Sequence, residues 1–247
     1  MLFPSRLSPL VIALGAVLVL SGCVRRPPEP LRPSSPYPSR TEAPLVGGLV
    51  DRAIDGGTQA LVVREGSDLG RCLAELNAAR VRFSPVPDRQ NTATCGLHQG
   101  GVLGADLGTV ARMTPGDVEM TCQTALALSI WRRQSLEPAA REILGSDVVQ
   151  IDHMGAYACR NVNNGVGSSR ISAHAQAAAL DFAGVRLRDG RRITVTKDWS
   201  GDTAEARFLR RIRDDACRIF GTTLSPDYNA VHHDHLHLEA TDTRFCR

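Results

Sequence analysis

Aromatic residues make up only 4% of this 247-residue chain, and no basic patch is interleaved with them. Single-stranded nucleic acid is held by stacking platforms in a positive groove, so this scarcity argues against a nucleic-acid partner. Charge of one sign is lacking as well. The formal net charge is +3, falls to +2 if Arg6 leaves with a cleaved leader, and arginines alternate with acids in RRIRDDACR. The seven cysteines include no CxxC pair, which leaves little support for a thiol redox motif or a four-cysteine zinc knuckle. The apolar run from Leu10 to Leu20 is too short for a permanent membrane span.

What is present begins with an export signature. Residues 1–22 carry Arg6, then the apolar run, then small residues ahead of Cys23, as in a secretory signal peptide. The segment LSGC resembles the lipobox of bacterial lipoproteins, in which Cys23 becomes the lipidated first residue; an ordinary secretory signal with an incidental cysteine is the alternative. Lipidation would tie the chain to a membrane without spanning it. Val24 does not resemble the aspartate that retains lipoproteins in an inner membrane, so a periplasm-facing position on the outer membrane is expected. Setting Cys23 aside leaves six cysteines, enough for three disulfides in an oxidising compartment, with fifteen pairings open. Residues 23–60 are rich in proline and serine and read as a tether. Residues 61–247 are one domain's worth of chain.

Within that domain Ser67 is a candidate cap for a helix through Ala79, with Leu69, Leu73 and Leu76 on one face. RFSPVPDRQNTATCGLHQGGVLG reads as turns with short extended pieces, and its His98 reads as a surface residue. TPGD suggests the start of a helix over Met120 to Arg133. Trp131 is expected to close the core against a second helix in LEPAAREILG, a substrate platform being the alternative. DVVQIDHM and GRRITVTKDW read as strands, and a helix is expected from Asp202 to Phe220. This order of elements favours α+β, with a small, mainly antiparallel sheet and packed helices.

Two segments have metal-ligand character. In SRISAHAQAAALDF, His174 and Asp181 are seven residues apart; an unbroken helix would hold their Cα atoms roughly 10 Å apart. A chain that turns after His174 and enters a strand near Leu180 could bring them together, with Leu180 and Phe182 facing the core and Asp181 facing away. In HHDHLHLEA, a strand points His235 and His237 to one face and Leu236 and Leu238 to the other. A His, Asp, His set with one open position is what a hydrolytic zinc requires. A histidine-rich surface tract is the alternative.

The stretches YACRN, SSRISAHAQAAALDFAG, GRRITVTKDW, FLRRIRDDACRIFG and LSPDYNAVHHDHLHLE resemble the bacterial extensin-like carboxy-terminal domain family. That family is grouped with zinc D-alanyl-D-alanine peptidases and murein endopeptidases, and the likeness runs from about Leu69 to Cys246. The peptidase pattern SxHxxGxAxD falls on Ser172, His174, Ala177, Ala179 and Asp181, and HxH on His235 and His237. The resemblance implies a zinc D-Ala-D-Ala peptidase-like fold with Zn2+ held by His174, Asp181 and His237. It makes Asp234 the proton acceptor for a metal-activated water, His235 a neighbour of the metal and the reacting groups, and Arg160 the oxyanion stabiliser; His235 or His232 is the reserve base, because neutral imidazole titrates near the working range. Arg160 in a surface salt bridge is the alternative. Ser172 is expected to order the His174 loop. Ala177 stands where the pattern has glycine. The implied activity is hydrolysis of peptidoglycan stem peptides or crosslinks; a non-catalytic, metal-containing wall-binding module is the second reading.

Overall fold

The computed structural model describes residues 48–165 and 168–247; the signal segment, Cys23 and the proline-rich stretch up to residue 47 lie outside the described residues. No helix among the described residues is long and apolar enough to cross a membrane. The packed unit reaches back to Leu49 and Val50, both buried in the core, and includes a helix Thr58–Gly66. Part of the stretch expected as tether therefore lies inside it.

Ser67 does not cap the second helix. It closes the first, in helical conformation, and Asp68 is the cap of Leu69–Ala78. Asp68 has the extended backbone an N-cap needs, and its carboxylate accepts from the Arg71 amide at 2.9 Å. The next stretch is more regular than its prolines and glycines suggest. Strands Val81–Pro85 and Gly100–Asp106 pair antiparallel, and Val118–Thr121 joins on the other side to make a three-stranded sheet. TPGD is thus a turn, with a cis peptide before Pro115, and not a helix start. Met120 belongs to the strand. The helix begins at Cys122, capped by Thr121, whose hydroxyl accepts from the Thr124 amide at 3.1 Å. Cross-strand pairing has overridden the local helix signal.

The helix Cys122–Trp131 is buried on all sides except at Gln123, as expected for a helix at the centre of a domain. It continues through wider π turns at Arg132–Leu136 and Ala140–Leu144 and ends at Gly145, which takes φ 68°. Trp131 is wholly buried in the core, as expected, and is no substrate platform. It packs edge-on against Phe182 at 5.2 Å, and its Nε1 donates to the Ile212 carbonyl at 2.8 Å. Ile212 lies on the helix Ala204–Ala216, which buries Phe208, Leu209, Ile212 and Ala216. Arg132 is also buried and donates to Asp106 at 2.7 Å, while Arg133 binds the same carboxylate. This pairing ties the small sheet to the central helix.

The larger sheet runs in the order Phe245–Cys246, Thr222–Leu224, Leu236–Glu239, Ala179–Leu187, Val148–His153, Arg112–Thr114, with Arg192–Thr194 also on Ala179–Leu187. Two pairs are parallel, Thr222–Leu224 with Phe245–Cys246 and Arg112–Thr114 with Val148–His153; the others are antiparallel. The architecture is therefore α+β with a mixed, mostly antiparallel sheet covered by helices. Six cysteines form Cys72–Cys122, Cys95–Cys159 and Cys217–Cys246. The first helix also reaches the far end of the chain. Gln59 Nε2 donates to the carbonyls of Thr241 and Thr243, at 3.2 and 2.6 Å, beside a bond from Gln123 Nε2 to the Ala240 carbonyl at 3.0 Å.

Candidate metal centre

The two distant segments meet on the larger sheet. Leu236–Glu239 lies antiparallel to Ala179–Leu187 with His237 directly opposite Asp181. Strand alternation sends Leu180, Phe182, Leu236 and Leu238 into the core, leaving Asp181 and His237 on the other face. His174 arrives from a single 3-10 turn, Ala173–Gln176, just before the strand. That turn is held by Ser172, whose hydroxyl accepts from the His174 amide at 3.3 Å. It is closed by Ala177 in the left-handed region, φ 53° and ψ 28°. This is the position where the peptidase pattern has glycine, the residue that adopts such a backbone without a Cβ penalty.

His174 Nε2, Asp181 Oδ1 and His237 Nδ1 form a buried triangle with edges of 3.0, 3.0 and 3.1 Å. A tetrahedral ion with 2.0–2.1 Å bonds has donors roughly 3.3 Å apart, so the triangle needs only slight opening. The outer atoms define the chemistry. His174 Nδ1 lies 2.9 Å from the Ala156 carbonyl, which can only accept. In a neutral ring Nε2 is then the lone-pair atom. His237 Nε2 faces Glu239 Oε2 at 3.3 Å, which leaves Nδ1 as its lone-pair atom. Three lone pairs thus converge with no built-in hydrogen between them, a donor set that fits a cation.

Without an ion the charges settle differently. Burial disfavours both ionised Asp181 and protonated His237. The adjacent His174 and His237 rings nevertheless hold the Asp181 carboxyl far below its usual range, and Asp181 and Glu239 push the His237 pKa up to about 9. His232, its Nδ1 donating to Asn229 Oδ1 at 2.7 Å, is pushed down to about 4 by burial and by the nearby His235 and His237.

The triangle opens into a cleft of about 800 Å³ whose lining includes Arg160, Arg170, Asp234 and His235 and whose outer wall includes Tyr228 and Phe245. Arg160 Nη2 lies 3.6 Å from Asp181 Oδ2, so it is both a salt-bridge partner and a cleft residue. Its loop is fixed by the adjacent Cys95–Cys159 bridge and by the Ser172 amide donating to the Arg160 carbonyl at 3.2 Å. Asp234 sits in the turn before the strand, with Oδ1 2.8 Å from His235 Nδ1 and Oδ2 3.8 Å from His233 Nε2. His235 Nε2 lies 3.6 Å from Asp181 Oδ1. His235 therefore stands between Asp234 and the donor triangle. Glu239 had no place among the sequence candidates, although the alternation HLHLE puts it on the face of His237.

Fold and site together define an α+β domain with a candidate metal-binding cleft. The chain belongs to the family described as "Extensin-like protein C-terminus", which matches residues 70–247. No curated protein and no solved structure matches it.

Proposed function

We propose that this domain is a zinc-dependent peptidase of the cell envelope, acting on peptidoglycan stem peptides or their crosslinks as a carboxypeptidase or endopeptidase. The observation that carries the metal reading is the convergence of three lone pairs from His174, Asp181 and His237, the last two of which line an open cleft. Two imidazoles and one carboxylate suit zinc, and three protein ligands leave a coordination position free. A bound divalent ion would supply Lewis acidity and lower the pKa of water.

The chain's own groups have distinct tasks in this reading. Asp234 accepts the Nδ1 proton of His235 and thereby aims the His235 Nε2 lone pair toward the triangle. His235 is then the proton acceptor and Asp234 its orienting group, an inversion of the roles implied by resemblance to the peptidases. Arg160 offers a fixed cation to the charge developing on a substrate carbonyl oxygen. The apolar outer wall suits the side chains of a peptide. Lipidation at Cys23 and an outer-membrane, periplasm-facing position complete the proposal; three disulfides agree with an oxidising compartment.

The second reading, a non-catalytic wall-binding module that keeps the metal, is favoured by Ala177 standing in the left-handed region where the peptidase pattern has glycine, because catalysis tolerates displaced groups less than metal binding does. Digestion of defined muropeptides, analysed by mass, separates the two. Cleavage by the zinc-loaded protein and its loss in a folded His174→Ala variant are expected. Retention of cleavage in that variant, or in demonstrably metal-free protein, overturns the peptidase. Wall binding and metal uptake without any cleavage establish the module.

A further inference from the structure

We infer that Glu239 is a positioning residue for the candidate metal centre, fixing the tautomer and ring orientation of His237. The inference rests on the metal reading of the triangle.

The two histidines of the triangle face it through different atoms. His174 presents Nε2 and donates Nδ1–H to the Ala156 carbonyl, a main-chain acceptor that no substitution removes. His237 presents Nδ1 at 3.0 Å from Asp181 Oδ1 and 3.1 Å from His174 Nε2. Its remaining nitrogen must then carry the proton in a neutral ligand, and Glu239 Oε2 stands 3.3 Å from it. A carboxylate on the outer nitrogen holds the ring in one orientation and raises the donor strength of the inner one.

Glu239 is well placed for this because its backbone cannot drift. It is paired with Thr222 on one side and Ala179 on the other, and its carbonyl accepts from the Gly221 amide at 2.9 Å. His237 and Glu239 are two apart on one strand and so share a face. Glu239 is on the far side of the His237 ring from the triangle, which gives it no part in holding the ion directly. The same strand thus supplies both a ligand and the group that orients it.

The test is zinc titration of metal-free protein against a chromophoric chelator, with Co2+ spectra in parallel. The proteins are wild type, Glu239→Ala, Glu239→Gln and His237→Ala, each checked for folding by circular dichroism. Glu239→Ala is expected to weaken zinc binding about 10–100-fold and to change the Co2+ ligand-field bands. Glu239→Gln, whose amide oxygen still accepts from Nε2–H, is expected to recover most of the affinity. Wild-type binding with Glu239→Ala equal to it within twofold overturns the positioning role while leaving the metal reading intact. No saturable zinc binding by wild type removes the metal reading itself, and the inference with it. Nitrogen-15 NMR of histidine-labelled, zinc-loaded wild type gives a check that needs no variant: Nδ1 ligation with Nε2 protonated is expected for His237, and ligation through Nε2 overturns the inference.

Discussion

Replacing Ala177 by glycine separates backbone strain from side-chain burial at the centre of the site. Ala177 is fully buried and lies at φ 53° and ψ 28°. That conformation costs an L-residue about 1–2 kcal/mol, a penalty glycine escapes. Against this relief, the variant loses a buried methyl, about 0.8 kcal/mol, and adds unfolded-chain freedom, about 0.4–1 kcal/mol. The contributions nearly cancel, so Ala177→Gly should stay within about 1 kcal/mol of wild type. Ala127 is equally buried but sits inside the helix Cys122–Trp131, where there is no strain to release. Ala127→Gly loses a similar methyl and about 1 kcal/mol of helix propensity, a total near 2 kcal/mol. The quantity to measure is the difference between the two variants, about 1–2 kcal/mol, from urea unfolding followed by circular dichroism with disulfides intact. Equal destabilisation by the two substitutions would refute strain at Ala177.

Removing the Cys95–Cys159 bridge as a double serine variant frees a 64-residue separation, for which chain entropy gives about 4 kcal/mol of lost stability; a loss of unfolding free energy under about 1 kcal/mol in urea would contradict that entropic account. Asp106→Ala leaves Arg132 buried without its 2.7 Å partner and should cost about 3–5 kcal/mol in urea unfolding, whereas breaking the solvent-exposed Arg52–Asp55 pair should leave the urea midpoint essentially where it is. Burial pushes the His153 pKa below its ordinary value, while its Nε2 lies 2.7 Å from the Pro115 carbonyl and its Nδ1 accepts from Gly155. The unfolded chain then binds more protons below about pH 6.5, so this contribution to stability is present above that pH and lost as pH falls toward the folded pKa. Urea midpoints between pH 7.5 and 5 should fall less steeply in His153→Gln, and parallel curves would exclude His153 as a source of the slope.

Much of the site was legible because it obeys strand alternation. HLHLE and the Leu180, Asp181, Phe182 triplet each sort apolar from polar side chains with a period of two, and their register then sets His237 against Asp181. The turn between His174 and Asp181 was legible from distance alone. What was missed depends on partners remote in sequence. Nothing local marks Val118–Thr121 as a strand rather than a helix start; its pairing with Gly100–Leu103 does. Trp131 finds Ile212 and Phe182 only after the long helix and the sheet have come together. The engagement of Asp234 with His235 follows from the turn geometry before the strand, which residue types do not encode. Glu239 shares the alternation of HLHLE, but its bond to the outer nitrogen of His237 depends on which ring atom faces the triangle, which alternation does not encode.

The hydrogen bonds from Gln59 to Thr241 and Thr243 bear on how this protein can be cut down. The family match begins at residue 70, beyond the helix that carries Gln59. A fragment trimmed to that boundary would lose the two Gln59 contacts to Thr241 and Thr243, while the pairing of Phe245–Cys246 with Thr222–Leu224 and the Cys217–Cys246 bridge would still hold the end of the chain. Such a truncation would also remove Leu49, Val50 and Val62 from the core while sparing all three donor residues, so poor folding of the shortened protein would say nothing against the centre itself.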